Sequence, residues 1–412
     1  MPEGRKGSEG YISKLEKQRG APSLFQLSKT FLIMGLTAYG PVVLQELKRL
    51  IVNKKWLSQK EFEEGLGMVQ LYPGPVMFNL ATYVAYKIKD FLGALTTIFF
   101  IIPSYLLVLF LSWIYFNYGS IWWIHPLFTT LDAIVLGIIL HVSINFYQKY
   151  VNTKGEAIIA GLSFLFILYK FNAFLITAIS IILGIVLFKN KLEAKHLEEN
   201  ENKKKGNPLI ALTVSGLVFL LLILFGLFQK GPFGELTLSM MKVGSIAFGN
   251  GMTIMPFLQQ EAVINHRWLT LKEFADGIAL GQITPGPILI TATFIGYKVA
   301  GLAGSTLATA GIFYPSFFYT LVMTEVYDRI KHNRFVTPAL KGLLSAFTGM
   351  LFFVALSIGK VSLTSKENFI WAVASFIAVR YFRWSVLKIF ILGLLTAAVI
   401  LLVKTVSLRA LY

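Results

Sequence analysis

Two stretches of this chain decide its architecture: "WLSQKEFEEGLGMVQLYPGP" (Trp56–Pro75) and "WLTLKEFADGIALGQITPGP" (Trp268–Pro287). Laid over one another without a gap, they share ten of twenty residues. Unrelated stretches of ordinary composition would share about one. Upstream, "GLTAYG" (35–40) matches "GSIAFG" (244–249); downstream, Pro103-Ser104 matches Pro315-Ser316. The chain is therefore an internal duplication. Each copy opens on a capping box, Ser58 three residues before Glu61 and Thr270 three before Glu273. There a hydroxyl satisfies a helix-start amide and the carboxylate reaches back, which predicts helices beginning near 59 and 271. Each copy ends on Pro-Gly-Pro. Proline removes a backbone donor and clashes with the preceding turn, at a cost of about 3 kcal/mol inside a helix. Breaks are expected at 73–75 and 285–287, buried near a pseudo-two-fold axis.

The surroundings of the repeat are apolar. Of 412 residues, 55% are hydrophobic and 14% charged, and the mean hydropathy is +0.66. A soluble domain carries roughly 25% charged residues. Runs such as Leu92–Phe116 and Pro208–Phe228 reach the roughly 20 residues that a bilayer-spanning helix needs. A β-barrel would instead alternate over segments of about 10 residues. The expected fold is an all-α polytopic membrane protein. About thirteen transmembrane segments are expected, near 24–45, 65–86, 91–116, 126–148, 155–170, 172–188, 208–228, 236–257, 274–297, 301–326, 336–357, 368–381 and 384–405. They divide into a tail (1–23), a first repeat (24–188), a charged linker (189–207), a connecting helix (208–228) and a second repeat (235–405). The tail lacks the short apolar core of a cleaved signal peptide, so the first segment is expected to serve as its own insertion signal.

No cysteine is present, which excludes disulfides, thiolate metal sites and thiol catalysis. The net charge of +17 sits in short loops, as the positive-inside rule requires of a membrane protein; no interleaved aromatic surface supports a nucleic-acid partner. With the linker in the cytoplasm, six segments plus one plus six place the two repeats upside down relative to each other. The N-terminus is then cytoplasmic and the C-terminus outside. One loop resists this count. Residues 46–60 carry Lys48, Arg49, Lys54, Lys55 and Lys60, yet fall outside. Either the first two segments do not fully span, or this loop dips into the membrane.

Inverted repeats with broken helices are the architecture of many secondary transporters. A break frees backbone amides, here those of Gly74, Val76 and Met77 and of Gly286, Ile288 and Leu289. Such amides at a helix start suit an anion. Gln70 and Gln282 stand one turn before the breaks, Asn79 and Thr291 one turn after. The plain alternative for these four is helix–helix hydrogen bonding, and for Pro-Gly-Pro a structural kink. Among the charges, Arg49 and Glu261 occupy equivalent positions, Arg267 and Lys298 flank the second break, Lys55 and Lys87 the first, and Asp132 lies with His141 inside a segment. Intramembrane ionisable groups are functional candidates by default. Lysines at segment ends also snorkel to headgroups, and a carboxylate also serves in a structural ion pair. Glu261 is the first choice for a group that couples transport to protons, and Asp132 the second.

The stretch from Lys242 to Gly301, "KVGSIAFGNGMTIMPFLQQEAVINHRWLTLKEFADGIALGQITPGPILITATFIGYKVAG", followed by "GIFYPS", closely resembles the second domain of the chromate transporter family. The first half resembles the family's other domain through "GLTAYGP", "KKWL", "QLYPGP" and "IIPS". It departs from the family in "YGP" and in Arg49, where an acid is usual. The resemblance implies a two-domain, inverted-repeat secondary transporter of the cell membrane, exporting chromate at the expense of the proton gradient. It implies no cofactor, no metal and no enzymatic step, and it leaves a homo-oligomer open. Sulfate and chromate are tetrahedral dianions of similar shape, so related oxyanions stay in view. A passive oxyanion channel is the nearest alternative. An intramembrane enzyme is the more distant one, with neither H-E-x-x-H nor G-x-S-x-G to carry it.

Overall fold

The computed structural model describes residues 22–37, 42–54, 56–118, 125–189, 208–249, 251–330 and 333–409. The tail before 22, the body of the linker, Lys55 and residues 38–41 lie outside the described residues. The first repeat comprises α1 (Leu24–Thr37), α2 (Val42–Asn53), α3 (Gln59–Met68), α4 (Val76–Leu95), α5 (Ile98–Tyr118), α6 (His125–Tyr150), α7 (Lys154–Leu168) and α8 (Ala173–Phe188). The connecting helix is α9 (Pro208–Phe228). The second repeat comprises α10 (Pro232–Gly244), α11 (Met255–Gln259) running into a π-helical turn (Gln260–Asn265), α12 (Leu271–Ile283), α13 (Thr291–Ile330), α14 (Val336–Ser362), α15 (Lys366–Arg380) and α16 (Val386–Arg409). Among the described residues there is no strand, and six helices are long and apolar enough to cross a membrane.

Both capping boxes are present. The Ser58 amide donates to Glu61 at 2.9 Å and the Thr270 amide to Glu273 at 2.8 Å, and each hydroxyl accepts in return. Both helices stop before Pro-Gly-Pro, but the chain beyond the break does not continue as the second half of a spanning helix. In the second repeat, Lys298 pairs with Glu273 at 2.7 Å and Phe294 covers Gly277. Thr291 in turn lies against Gly281. As one residue number rises the other falls, so α12 and the start of α13 run antiparallel and Pro-Gly-Pro is the tip of a hairpin. The first repeat has the same arrangement: the Tyr83 ring lies on Gly65, and its hydroxyl donates to the Glu61 carbonyl at 3.2 Å.

The chain reverses again at the end of each hairpin. Lys89-Asp90 and Ala300-Gly301 leave helical geometry, with φ of 52° at Asp90 and 58° at Gly301. Across these turns Thr82 meets Thr97 at 3.4 Å and Thr293 meets Thr309 at 2.7 Å. A third pair of arms, α10 and the π-helical turn, is also antiparallel: Glu261 bonds Ser239 and Lys242, both at 2.8 Å, and His266 reaches Glu235 at 3.4 Å. The counterparts α1 and α2 also touch.

The expected count of thirteen crossings is not confirmed: among the described residues six helices have the length and apolarity to span. The segments 65–86, 236–257 and 274–297 fall on the antiparallel arms just described, and 24–45 on α1 and α2. Hydropathy sees their apolar length and not their reversal.

The two repeats interlock through their remaining helices. α6 packs on α15 and α16, α14 packs on α7 and α8, and α6 and α14 pack on each other. Gly137 of α6 lies against Ala372 of α15, and its counterpart Gly349 of α14 lies against Ala160 of α7. The same residue of each repeat thus makes the same close backbone approach to the other, which is the signature of a two-fold relation.

Candidate functional site

Three hairpin tips meet in the protein interior. The amides of Gly74 and Val76 donate to the carbonyls of Ala247 and Gly249, the second at 3.3 Å. Ala247 and Gly249 belong to the tip between α10 and α11. Gly251 of that tip lies against Ile288 and Leu289, just past the second Pro-Gly-Pro. The matching stretch of the first repeat, residues 38–41, lies outside the described residues.

Each Pro-Gly-Pro is also held by the crossing helix of the other repeat. Ser104 donates its hydroxyl to the Pro285 carbonyl. A Cβ on Gly286 would stand 2.6 Å from Ser104 Oγ, and one on Gly74 would stand 2.7 Å from Ser316 Oγ. Gly74 has φ +136° and Gly286 φ +102°, conformations that cost an L side chain dearly. Both positions need glycine for backbone geometry and for space. Pro103 and Pro315, each just before its serine, sit inside helices.

Around these tips lie buried polar atoms with no hydrogen-bond partner among the described residues: Asn79 Oδ1, Gln282 Nε2 and Ser316 Oγ. Leaving one such group unsatisfied costs about 1–3 kcal/mol. Asn79 is fully buried, and its amide donates to the Pro73 carbonyl at 3.3 Å. A Cβ on Gly74 would stand 2.5 Å from Asn79 Oδ1. Asn79 and Ser316 therefore flank the same glycine from opposite repeats. A carboxamide offers either its oxygen or its NH2 group, and a hydroxyl does both. Gln282 Nε2 and Ser316 Oγ are thus donors without an acceptor, while Asn79 has spent one of the two hydrogens of its NH2 group on Pro73 and leaves Oδ1 as an unpartnered acceptor. The starts of α4 and α13, each carrying about half a positive charge, lie beside them.

The structure sorts the other sequence candidates. Gln70 is exposed on the turn after α3, away from its counterpart Gln282. Thr291 is buried but spends its hydroxyl on the Ile288 carbonyl at 2.9 Å. Val76 and Met77 are half-buried, Ile288 and Leu289 buried. The amides of Gly74 and Val76 are not free, because carbonyls of the other repeat's tip reached them first. Pro75 and Pro287 cap their helices from the residue before, in extended geometry, rather than occupying the first turn.

Arg49 pairs with Glu46 at 2.9 Å and Arg267 is exposed with φ 54°. Lys87 stands 5.7 Å over the Tyr83 ring, and Lys298 lies 5.0 Å over Phe116. None of these four enters the tip cluster. Glu261 is buried and saturated: Lys242 and Ser239 at 2.8 Å, Asn265 at 3.0 Å and His266 at 3.6 Å. Asp132 differs. It is fully buried in α6, one oxygen bound at 2.5 Å by Lys272 of α12 and the other without a partner.

Sequence reasoning paired Ser104 with Ser316 as a repeat match but gave them no role. It missed Lys272 and Tyr115 altogether. Lys272 and Asp276 look like an ordinary pair one helical turn apart, and nothing local shows that Asp132 meets them.

A family model described as chromate transporter matches residues 25–185 and 234–402. The chain belongs to the chromate transporter family. An uncharacterised transporter of Methanocaldococcus jannaschii is 32% identical over 393 residues, 94% of this chain and 97% of that one. A probable chromate transport protein of Synechococcus elongatus is 31% identical over 363 residues, 85% of this chain and 88% of its own. A chromate transport protein of Cupriavidus metallidurans is 30% identical over 359 residues, 83% and 84% of the two chains. No solved structure matches. As a chromate transporter family member with apolar helices of spanning length, the protein is a multi-pass membrane protein. Its two family matches coincide with the two sets of hairpins.

Proposed function

We propose that this protein carries chromate, or a tetrahedral dianion of the same shape, out of the cell through the meeting point of the hairpin tips, driven by the proton gradient. The observation that carries the reading is the set of buried groups with hydrogen-bonding capacity to spare at tips drawn from both repeats: Gln282 Nε2 and Ser316 Oγ, which have no partner, and the second NH2 hydrogen of Asn79, whose first goes to Pro73. A desolvated dianion requires several fixed donors, since a helix end alone supplies only up to about 2 kcal/mol. Pairing one donor set from each repeat gives a site that either half can uncover in turn, the usual basis of alternating access.

The hairpins also remove the conflict in loop charge. If hairpins do not cross, the crossings are α5, α6, α7, α8, α9, the long arm of α13, α14, α15 and α16. With the linker in the cytoplasm, residues 46–60 and 87–89 then lie inside. They join the basic stretches 149–154, 333–341 and 380–388, as the positive-inside rule asks. The N-terminus stays inside and the C-terminus outside. Five crossings separate equivalent points of the two repeats, so the repeats remain inverted.

The test of direction and drive is uptake of chromate into everted vesicles. Accumulation above the outer concentration, abolished when the proton gradient is collapsed, is expected. Equilibration without accumulation would make the protein an oxyanion channel.

A further inference from the structure

Away from the hairpin tips lies a charged cluster that oxyanion binding leaves unused. Lys272 reaches Asp132 of α6 at 2.5 Å and Asp276 of its own helix at 2.7 Å. Tyr115 of α5 donates its hydroxyl to the other oxygen of Asp276 at 2.6 Å. Asp132 and Asp276 are at most 2% exposed, whereas the Lys272 side chain is 30% exposed. Two buried carboxylates therefore share one ammonium, and the cluster carries one negative charge too many for an apolar interior. Asp132 Oδ1, fully buried, has no partner. A single proton on that oxygen would balance the charge.

The neighbours offer no other balance. The groups acting on Asp132 are Asp276 and Lys272. Glu273 of α12 is occupied by Lys298. Of the helices packed on α6, α14 carries Lys360 exposed in its last turn, and α15 carries Lys366 and Glu367, both exposed in its first turn, and Arg380, bound to Asn145 and Gln148 far along α6. Lys388 of α16 stands over Trp384, also at the far end.

The duplication supplies a control. Lys272 and Asp276 of the second repeat meet Tyr115 of the first; their equivalents are Lys60 and Glu64 of the first repeat and Tyr327 of the second. Asp132 alone has no acidic counterpart: the equivalent residue of α14 is Leu344, fixed by the paired glycines Gly137 and Gly349. Helix packing that served only structure would be served alike in both halves. The extra acid occurs once, on the side where the proposed topology places the cell exterior.

We propose that Asp132 and Asp276, bridged by Lys272, form the site that takes up one proton from the outer water and releases it inside during each transport cycle. This rests on the transport reading above. Lys272 lies between the acid pair and solvent, and Tyr115 fixes the orientation of Asp276. Asp132 lies outside the tip cluster, so substrate exchange and proton coupling are separable.

The test uses the full chain in proteoliposomes with two readouts. Infrared difference spectra between acid and alkaline buffer should show a carboxylic-acid carbonyl band that Asp132→Asn or Asp276→Asn removes. Asp132→Asn leaves a balanced Lys272–Asp276 pair, so insertion is expected to survive; Asp276→Asn is the second variant should it not. Chromate exchange should persist in Asp132→Asn while gradient-driven accumulation is lost. The proposal is overturned if the band is unchanged in both variants, if accumulation with its normal pH dependence persists, or if a sodium gradient replaces the proton gradient. The band decides the matter even if the wild type proves to carry an oxyanion other than chromate.

Discussion

At the residue scale the account turns on which buried polar groups are already satisfied. Glu261 accepts from three side chains, Ser239, Lys242 and Asn265, and has His266 3.6 Å away. Glu261→Gln is expected to destabilise the fold by about 1–3 kcal/mol, the cost of disturbing a buried hydrogen-bonded group, since the half-exposed Lys242 can turn to water. The pH dependence of transport should stay as it is, a combination that thermal unfolding and vesicle assays would read separately. Loss of coupling with full stability would restore Glu261 as the coupling group. Asn79 and Gln282 are in the opposite condition. Losing one hydrogen bond to a charged ligand costs about 1.5–3 kcal/mol. Asn79→Ala and Gln282→Ala should therefore each raise the KM for chromate by about tenfold to a hundredfold, with normal amounts of protein in the membrane. An unchanged KM would mean these amides serve helix packing. The sequence showed the polar residues but not their partners. Gln70 and Gln282 are equivalent in register, yet one faces out and the other is buried, because the surroundings of the two repeats differ.

At the scale of elements, the Pro-Gly-Pro turn is the unit. Its glycine is pinned by positive φ and by the opposite repeat's serine. Gly74→Ala and Gly286→Ala should each cost about 1–3 kcal/mol in backbone strain alone, with further loss from the clash. A drop in melting temperature in detergent for both, larger than for Gly231→Ala, is expected. Gly231 also has positive φ, but nothing lies within 4 Å of a Cβ there. Equal losses at all three sites would remove the role of Ser104 and Ser316. Capping boxes and breaks were legible because they are local. The reversal at the break was not, because apolar windows carry no direction. Its trace in the sequence was indirect: five basic residues at 46–60 on the wrong side of the count.

At the scale of the molecule, the arrangement is two repeats of hairpins and crossing helices that exchange partners. The absence of native cysteine makes single-cysteine labelling from either side of the membrane clean. Lys54→Cys and Lys89→Cys should react from the cytoplasmic side, and Lys170→Cys from outside. Arg383→Cys, in the corresponding loop of the second repeat, should react from inside. Lys54 and Lys89 on opposite sides would mean that the first Pro-Gly-Pro segment crosses after all. Lys170 and Arg383 on the same side would mean that the repeats are parallel. The duplication itself was plain in the sequence. The interlocking was not, since it depends on contacts such as Gly137 with Ala372 that lie more than two hundred residues apart.

The most direct measurement is counterflow of labelled chromate into proteoliposomes loaded with unlabelled chromate, comparing the wild type with Asn79→Ala, Gln282→Ala and Ser316→Ala combined. The account predicts a transient overshoot of label in the wild type, competed by sulfate, and its loss in the combined variant while the protein remains folded and inserted. A full overshoot in the combined variant, or none in the wild type, would contradict the placement of an oxyanion at the meeting hairpin tips.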